Sequence, residues 1–267
     1  MTQVTVNERV VELLEGESLF SLAQRIKPDA DLIVWNGFPV ELDRELAEGD
    51  TITLIRRGEQ PSIEELEALM AARHTPGVHQ VLKKSCVAIA GCGGLGSNVA
   101  LSLARVGVGH LILADHDVVV PSNLNRQQFF ADQIGEYKVD ALRDIVQRAN
   151  PFVQITTHRV KLDRENIPQL LNAAQIVVEA FDSADEKVMI IETVLTQMKG
   201  IPLVVGSGMA GYGNSNAIQT QCEGNLYICG DQVSEAKPGH GLMAPRVAIA
   251  ANHQANLVVE LLMEQGG

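Results

Sequence analysis

The stretch Cys86-Val-Ala-Ile-Ala-Gly-Cys-Gly-Gly-Leu-Gly-Ser97 sets a short apolar run, 87–90, directly against glycines at 91, 93, 94 and 96. Behind them Val99, Leu103 and Val106 recur on one face of a helical period. Strand, glycine-rich turn and helix in that order suit a nucleotide. Glycine lets the backbone approach a phosphate with no Cβ between them, and a helix N-terminus presents unpaired N–H groups. The spacing Gly91-x-Gly93-x-x-Gly96 fits the dinucleotide fingerprint. Asp115 stands 22 residues beyond Gly93, after the next apolar run at 111–114, where an acidic side chain takes ribose hydroxyls. Taken alone, this pattern says nucleotide and little more; a tight strand-to-helix turn without a ligand is its plain alternative.

From Cys86 onward, apolar runs alternate with helical patterns. The runs at 87–90, 111–114, 176–178 and 203–205 are continuous rather than alternating, which suits strands buried on both faces. Val188, Ile191, Leu195 and Met198 fall at helical spacing between two of them. The fold class expected is α/β, a Rossmann-like, mostly parallel sheet with helices on both faces. A weaker run around Thr156 predicts an edge strand. Residues 207–242 hold seven glycines and little periodicity, and read as a long loop, disordered or functional. Ala244 to Met263 closes the pattern as an apolar-faced helix.

Residues 1–57 read as a small α+β domain of their own. Val4–Val6 and Val10–Leu14 form a hairpin about Asn7-Glu8, and Ser18 caps a helix to about Arg25 with Leu19, Leu22, Ala23 and Ile26 as its apolar side. Leu32–Trp35 and Thr51–Ile55 are further strands, with Asn36-Gly37 marking a turn. Residues 58–85 are a helical connector: Ser62-Ile-Glu-Glu65 fits a capping box, His74-Thr-Pro-Gly77 stops that helix, and a second short one runs to Lys84. Residues 86–267 form the large domain.

The net charge of −12 argues against nucleic acid as a partner, since no lysine- or arginine-rich stripe offsets it. No signal segment opens the chain and the apolar runs are too short and interrupted to span a membrane. Four cysteines without a Cys-x-x-Cys pair suit a reducing compartment, so the expected localisation is cytoplasmic.

The order of elements in residues 1–57, with Val34-Trp-Asn-Gly37 and Leu46-Ala-Glu-Gly-Asp50, resembles the β-grasp fold of the sulfur carrier ThiS and of ubiquitin. Further on come Asp115-His-Asp117, then Ser122-Asn-Leu-Asn-Arg-Gln127, Gly135-Glu-Tyr-Lys138 and Glu179-Ala-Phe-Asp182. These residues resemble the ThiF/MoeB/HesA group of the ubiquitin-activating-enzyme superfamily across essentially all of 86–267. Gly239-His-Gly-Leu-Met-Ala-Pro-Arg246 is similar to the ThiF branch. A ThiF with a fused ThiS-like front domain is the nearest description.

That resemblance implies an ATP-dependent adenylyltransferase in thiamine thiazole biosynthesis. A carrier's C-terminal glycine carboxylate attacks the α-phosphorus of ATP, giving an acyl-adenylate and pyrophosphate. The carboxylate is ionised near neutral pH, so no general base is required. Rate comes from positioning and from neutralising the triphosphate. The resemblance assigns Arg126 and Lys138 to the phosphates, Asp182 to Mg²⁺, Asp115 to the ribose, and Ser122, Asn123 and Gln127 to the nucleotide pocket. It gives Asp117 a place as ligand or turn residue, and it implies a homodimer in which Arg73 reaches the partner's triphosphate. Plain readings stand beside these: Lys138 as a surface lysine, Asp182 as a helix cap. Relatives hold zinc with two Cys-x-x-Cys pairs; with only Cys222 and Cys229 here, no structural zinc is expected. Both of those cysteines read as buried or idle rather than covalent.

A nicotinamide-dependent oxidoreductase fits the glycine fingerprint alone, and a non-catalytic carrier-binding scaffold fits the front domain. The front domain cannot itself be a substrate. Its last strand runs through Leu54-Ile-Arg-Arg-Gly-Glu59 into the Ser62 helix, with a peptide bond where a carrier needs a free carboxylate. The closing Gly266-Gly267 follows a long helix, the ordinary place for a helix-terminating pair.

Overall fold

The computed structural model describes residues 2–59, 61–72 and 74–266, and the chain divides into two compact units, residues 1–74 and 75–267. In the first, β1 (Gln3–Val6) and β2 (Arg9–Glu12) form an antiparallel hairpin. Asn7 and Glu8 between them both take positive φ, 46° and 64°, as the tight turns that match strand twist require. Helix α1 (Leu19–Ile26) starts at Ser18, whose hydroxyl accepts from the Ser21 amide while the Ser21 hydroxyl accepts from the Ser18 amide. Strands β3 (Leu32–Trp35), β4 (Phe38–Pro39) and β5 (Thr51–Ile55) complete a sheet of order β2-β1-β5-β3-β4, in which β1 and β5 are parallel.

Val4, Val6, Leu19, Leu22, Ala23, Ile52 and Leu54 form this unit's core. Ile26, expected on the buried side, is 41% exposed: α1 has only eight residues, and Ile26 is the last of them. The two-residue β4 had no counterpart among the expected elements, because a proline-containing pair carries no period. Helix α2 (Ile63–Ala71) ends the unit.

The second unit opens with α3 (Val78–Leu82), then β6 (Cys86–Ala90), α4 (Gly94–Val106), β7 (His110–Asp115), α5 (Lys138–Ala149) and β8 (Gln154–Arg159). There follow α6 (Ile167–Leu170), β9 (Ile176–Glu179), α7 (Ala184–Gln197), β10 (Leu203–Gly206), β11 (Gln219–Glu223), β12 (Leu226–Gly230) and α8 (Ala244–Gly266). The sheet order is β11-β12-β10-β9-β6-β7-β8, parallel throughout except for β11 against β12. The pleat of β6 sends Val87 and Ile89 into the core shared with α4, α5 and α8, and Ala88 and Ala90 into the one shared with α6 and α7. Burial on both faces is why these runs are continuous in the sequence, and β8 takes the expected edge position.

The helix expected from the spacing of Val188, Ile191, Leu195 and Met198 is α7, whose buried residues are Ile190, Thr193 and Val194. The Thr193 hydroxyl donates to the Met189 carbonyl, 2.7 Å away. One expectation is corrected here. Residues 207–242 are not a structureless loop. They carry β11 and β12, and β12 extends the parallel sheet beyond β10, pairing Leu203 with Leu226 and Gly206 with Cys229. Every residue of β11 is exposed, so hydrophobic periodicity had nothing to register. Among the described residues, no helix is long and apolar enough to cross a membrane.

Candidate functional site

The C-terminal ends of β6, β7, β9, β10 and β12 surround a cavity of about 720 Å³. It lies where successive strands depart to opposite sides of β6, the crevice in which open α/β sheets bind ligands. A site this size matches a nucleotide-sized guest.

The glycine turn supplies its floor. The Gly91 amide donates to the Ala114 carbonyl at 2.8 Å, tying the turn to the end of β7, and Gly91, Gly93 and Gly94 line the cavity. Gly96 does not. A Cβ there would stand 1.9 Å from the Gly91 carbonyl oxygen, so its place is where helix meets turn. Gly96→Ala should therefore prevent soluble expression or lower the melting temperature sharply, because backbone rather than a flexible side chain blocks the new methyl. A variant with parental melting temperature would show that the turn relaxes freely.

Asp115, the last residue of β7, accepts the Cys92 amide at 2.7 Å and the Asp117 amide at 2.8 Å, which fixes its carboxylate on the cavity wall. Lys138 opens α5. It is 7% exposed, its amide donates to the Asp117 carbonyl (2.9 Å) and its Nζ lies 2.7 Å from Asp117 Oδ2. That is no surface lysine. Burial alone would raise the Asp117 carboxyl, but the hydrogen bond and charge of Lys138 outweigh it and hold the group below the usual range. Asp115, His116 and Asp117 bring their ligating atoms within 4.8 Å of one another, yet the carboxylates are already engaged by amides and by Lys138.

Arg126 reaches the cavity with its Nη1 donating to the Ser122 carbonyl (3.1 Å) and to Asn125 Oδ1 (2.8 Å). Gln127 also lines it, and its buried Oε1 has no hydrogen-bond partner among the described residues. A buried acceptor left open on a cavity wall is a place for a ligand's donor. Ser122 and Asn123 stand outside the lining, contrary to expectation. Asn123 is buried and spends its Oδ1 on the Val120 amide at 3.0 Å, closing the tight turn 121–123. Ser122 is exposed and contributes its carbonyl to Arg126. Both shape the turn that aims Arg126.

Asp182 follows β9 and lines the cavity, exposed to solvent. The residue preceding α7 as its cap is Ser183, not Asp182, and among the described residues nothing engages the Asp182 carboxylate. Arg73 lies outside the described residues.

Sequence reasoning missed a buried ion pair beneath these groups. Glu179, fully buried at the end of β9, accepts Lys187 Nζ at 2.7 and 2.9 Å and the Phe181 amide at 2.6 Å. Lys187 also donates to the Gly206 carbonyl (3.0 Å), so one ammonium joins β9, α7 and β10 at the cavity wall. Burial pushes the Glu179 carboxyl up against the pull of Lys187. A signal existed: an acidic residue closing an apolar run that is otherwise wholly buried. At the far end, Val160, Lys161 and Leu162 line the cavity after β8, and Lys161 pairs with Glu186 at 3.3 Å. Cys222 is exposed on β11, and burial raises the Cys229 thiol to about 11, away from nucleophilic form.

The chain is similar to known proteins. The ThiF family pattern matches residues 67–266, and the pattern described as ThiS-like ubiquitin matches residues 2–58. The molybdopterin-synthase adenylyltransferase of Escherichia coli (strain K12) is 30% identical over 193 residues, 70% of this chain and 76% of that protein. The adenylyltransferase and sulfurtransferase MOCS3 of Culex quinquefasciatus is 36% identical over 129 residues, 48% of this chain but 29% of its own length. The chain thus spans between about a third and a half of the longer curated relatives it matches. In structure, the E. coli tRNA N6-threonylcarbamoyladenosine dehydratase TcdA, solved in complex with ATP, superposes with a TM-score of 0.67. At 21% identity it covers 73% of this chain and 93% of that one, a likeness of fold.

Proposed function

The chain belongs to the ThiF family, and from that premise we propose that it is an ATP-dependent adenylyltransferase that activates the C-terminal glycine carboxylate of a ThiS-type sulfur carrier, in thiamine thiazole formation. One observation carries the reading: the glycine turn, two cationic side chains and an unengaged carboxylate line a single cavity at the strand ends. The ThiS-like match over residues 2–58 and the relatives named as molybdopterin-synthase adenylyltransferases support a ubiquitin-like carrier as co-substrate.

In this reading the nucleoside lies over Asp115, which receives ribose hydroxyls. The triphosphate runs along the glycine turn, and Lys138 and Arg126 balance its charge. The unengaged carboxylate of Asp182 fits Mg²⁺, which is ordinarily held by one or two carboxylates together with substrate phosphates. When bound, the ion would draw charge from the departing pyrophosphate. The carrier's carboxylate attacks the α-phosphorus, the bond to the bridging oxygen breaks, and pyrophosphate leaves with that electron pair. No proton moves, so no base is required; orientation and electrostatic stabilisation supply the rate. A nicotinamide ring needs no two cations beside an acidic group, which disfavours the oxidoreductase.

Carrier-dependent ATP–pyrophosphate exchange tests the proposal; its absence with every Gly-Gly-ending carrier of the source genome would reject it. Arg126→Ala and Lys138→Ala should each weaken ATP binding about tenfold or more by calorimetry. An unchanged Kd in either variant would remove that residue from the phosphate site. We further read the protein as a homodimer sharing Arg73 between sites. Mixed dimers of Arg73→Ala and Asp182→Ala chains should then recover part of the exchange activity, and verified mixed dimers without recovery would refute sharing.

A further inference from the structure

The turn that carries Asp182 is tied down along its length, and none of the ties involves Asp182 itself. Ahead of it, the Ala180 amide donates to the Ala90 carbonyl at 2.8 Å, joining the end of β9 to the end of β6. Gly91 passes so close that a Cβ on it would stand 2.8 Å from the Ala180 carbonyl oxygen and 3.3 Å from the Phe181 ring. At φ +95° that place suits glycine, so the start of the turn is set directly against the phosphate turn. In its middle, the Phe181 amide donates to Glu179 Oε1 at 2.6 Å. Beyond it, the Ser183 carbonyl accepts the Lys187 amide at 3.0 Å as α7 begins.

Lys187 completes the tether. Its ammonium returns across the turn to both carboxylate oxygens of Glu179, 2.7 and 2.9 Å away, and reaches the Gly206 carbonyl at 3.0 Å. An ammonium has three N–H donors, and these acceptors use them all. Lys187 therefore lines the cavity with no donor left for a phosphate, and Glu179 cancels its charge there. The adenylylation reading gives neither residue a task. Stability does not account for the pair either, because desolvating two charges offsets their attraction, and an apolar pair of the same volume is commonly as stable.

What the pair does fix is the path of the chain. Asp182 is exposed and engages no described residue, so its carboxylate goes where the turn 180–183 puts it. We infer that Glu179 and Lys187 are positioning residues for Asp182: their side-chain bridge, from the residue before the turn to the start of α7, holds the Asp182 carboxylate at a set distance from the glycine turn. The inference rests on the adenylylation reading and on its placing of Mg²⁺ at Asp182. A carboxylate on an untethered turn meets the same ion in only a fraction of its conformations, and apparent affinity falls by that fraction.

The test measures ATP binding to the full-length protein by calorimetry, once with excess Mg²⁺ and once with EDTA. Mg²⁺ should tighten binding to the parent by about tenfold or more, the worth of one charge-assisted contact, and Asp182→Ala should lose that gain. The paired replacement Glu179→Leu with Lys187→Met strands no charge and keeps the volume apolar, so the fold is expected to survive it. It should lose about fivefold or more of the gain while the Kd in EDTA moves by less than about twofold. Placed in the Asp182→Ala chain, the same replacement should weaken binding with Mg²⁺ by less than about twofold further, because it acts only through the carboxylate already removed. If the paired variant is insoluble, Glu179→Gln with Lys187→Met takes its place in the same cycle. Full retention of the gain, an equal loss with and without Mg²⁺, or losses that multiply in the combined chain each overturn the inference and return the pair to a structural role. A parent that gains nothing from Mg²⁺ overturns it as well, and carrier-dependent exchange by that parent then shows whether the adenylylation reading stands without it.

Discussion

Asp182→Ala is expected to lower carrier-dependent pyrophosphate exchange by about a hundredfold or more while leaving the melting temperature within a degree or two of the parent. The two halves of the expectation have different sources. Activity falls because the carboxylate meant to hold Mg²⁺ against the departing pyrophosphate is gone. Stability stays because no residue described in the structure depends on Asp182: it makes no ion pair or hydrogen bond and does not cap α7. Exchange assays at saturating ATP, set beside thermal melting of the same preparation, measure both. Retention of more than about a tenth of the exchange activity would remove Asp182 from the mechanism.

The second large effect concerns stability. Lys187→Met leaves Glu179 fully buried with its countercharge removed, and stranding a buried carboxylate costs on the order of 3–5 kcal/mol. The loss should be read by urea denaturation at neutral pH, and it should depend on pH in a definite sense. Burial raises the folded carboxyl above its unfolded value, so the folded state binds the extra proton more readily than the unfolded one. The stabilising contribution of that proton is fully present below the unfolded value and disappears as pH rises through the folded one. Without Lys187 to oppose it, the raised value climbs further and the window widens upward. The variant should therefore recover much of its deficit near pH 5 relative to pH 7.5. A deficit of the same size at both pH values would mean that lost packing, not the stranded charge, accounts for it. Glu179→Gln in the Lys187→Met background removes the charge and should flatten the pH dependence.

The nucleotide half of the site was legible because its signals are local. A continuous apolar run, closely spaced glycines and a helical period all lie within about 20 residues, and the backbone chemistry that makes them a phosphate turn needs no distant partner. Asp115 belongs to the same local grammar, one strand further on. The hairpin at Asn7-Glu8 and the cap at Ser18 were readable for the same reason: turn and cap preferences are properties of adjacent residues.

The tertiary fold alone decided the rest. Nothing near Lys138 in the chain says that it is buried against Asp117; that follows from the bridge between Val118 and Tyr137, which lays α5's first residue beside the end of β7. Asn123 and Ser122 sit in the same motif as Arg126 and Gln127, yet a tight turn points two of the four away from the cavity. The polar strand β11 is defined by its hydrogen bonds to β12, which composition does not announce. Glu179 with Lys187, and Asp231 with Arg246, are charged residues whose meaning depends on how deeply the fold buries them and on what it brings within 3 Å. Periodicity and turn chemistry are short-range and survive in the bare sequence. Burial and charge pairing are long-range, and exist only once strands distant along the chain lie side by side.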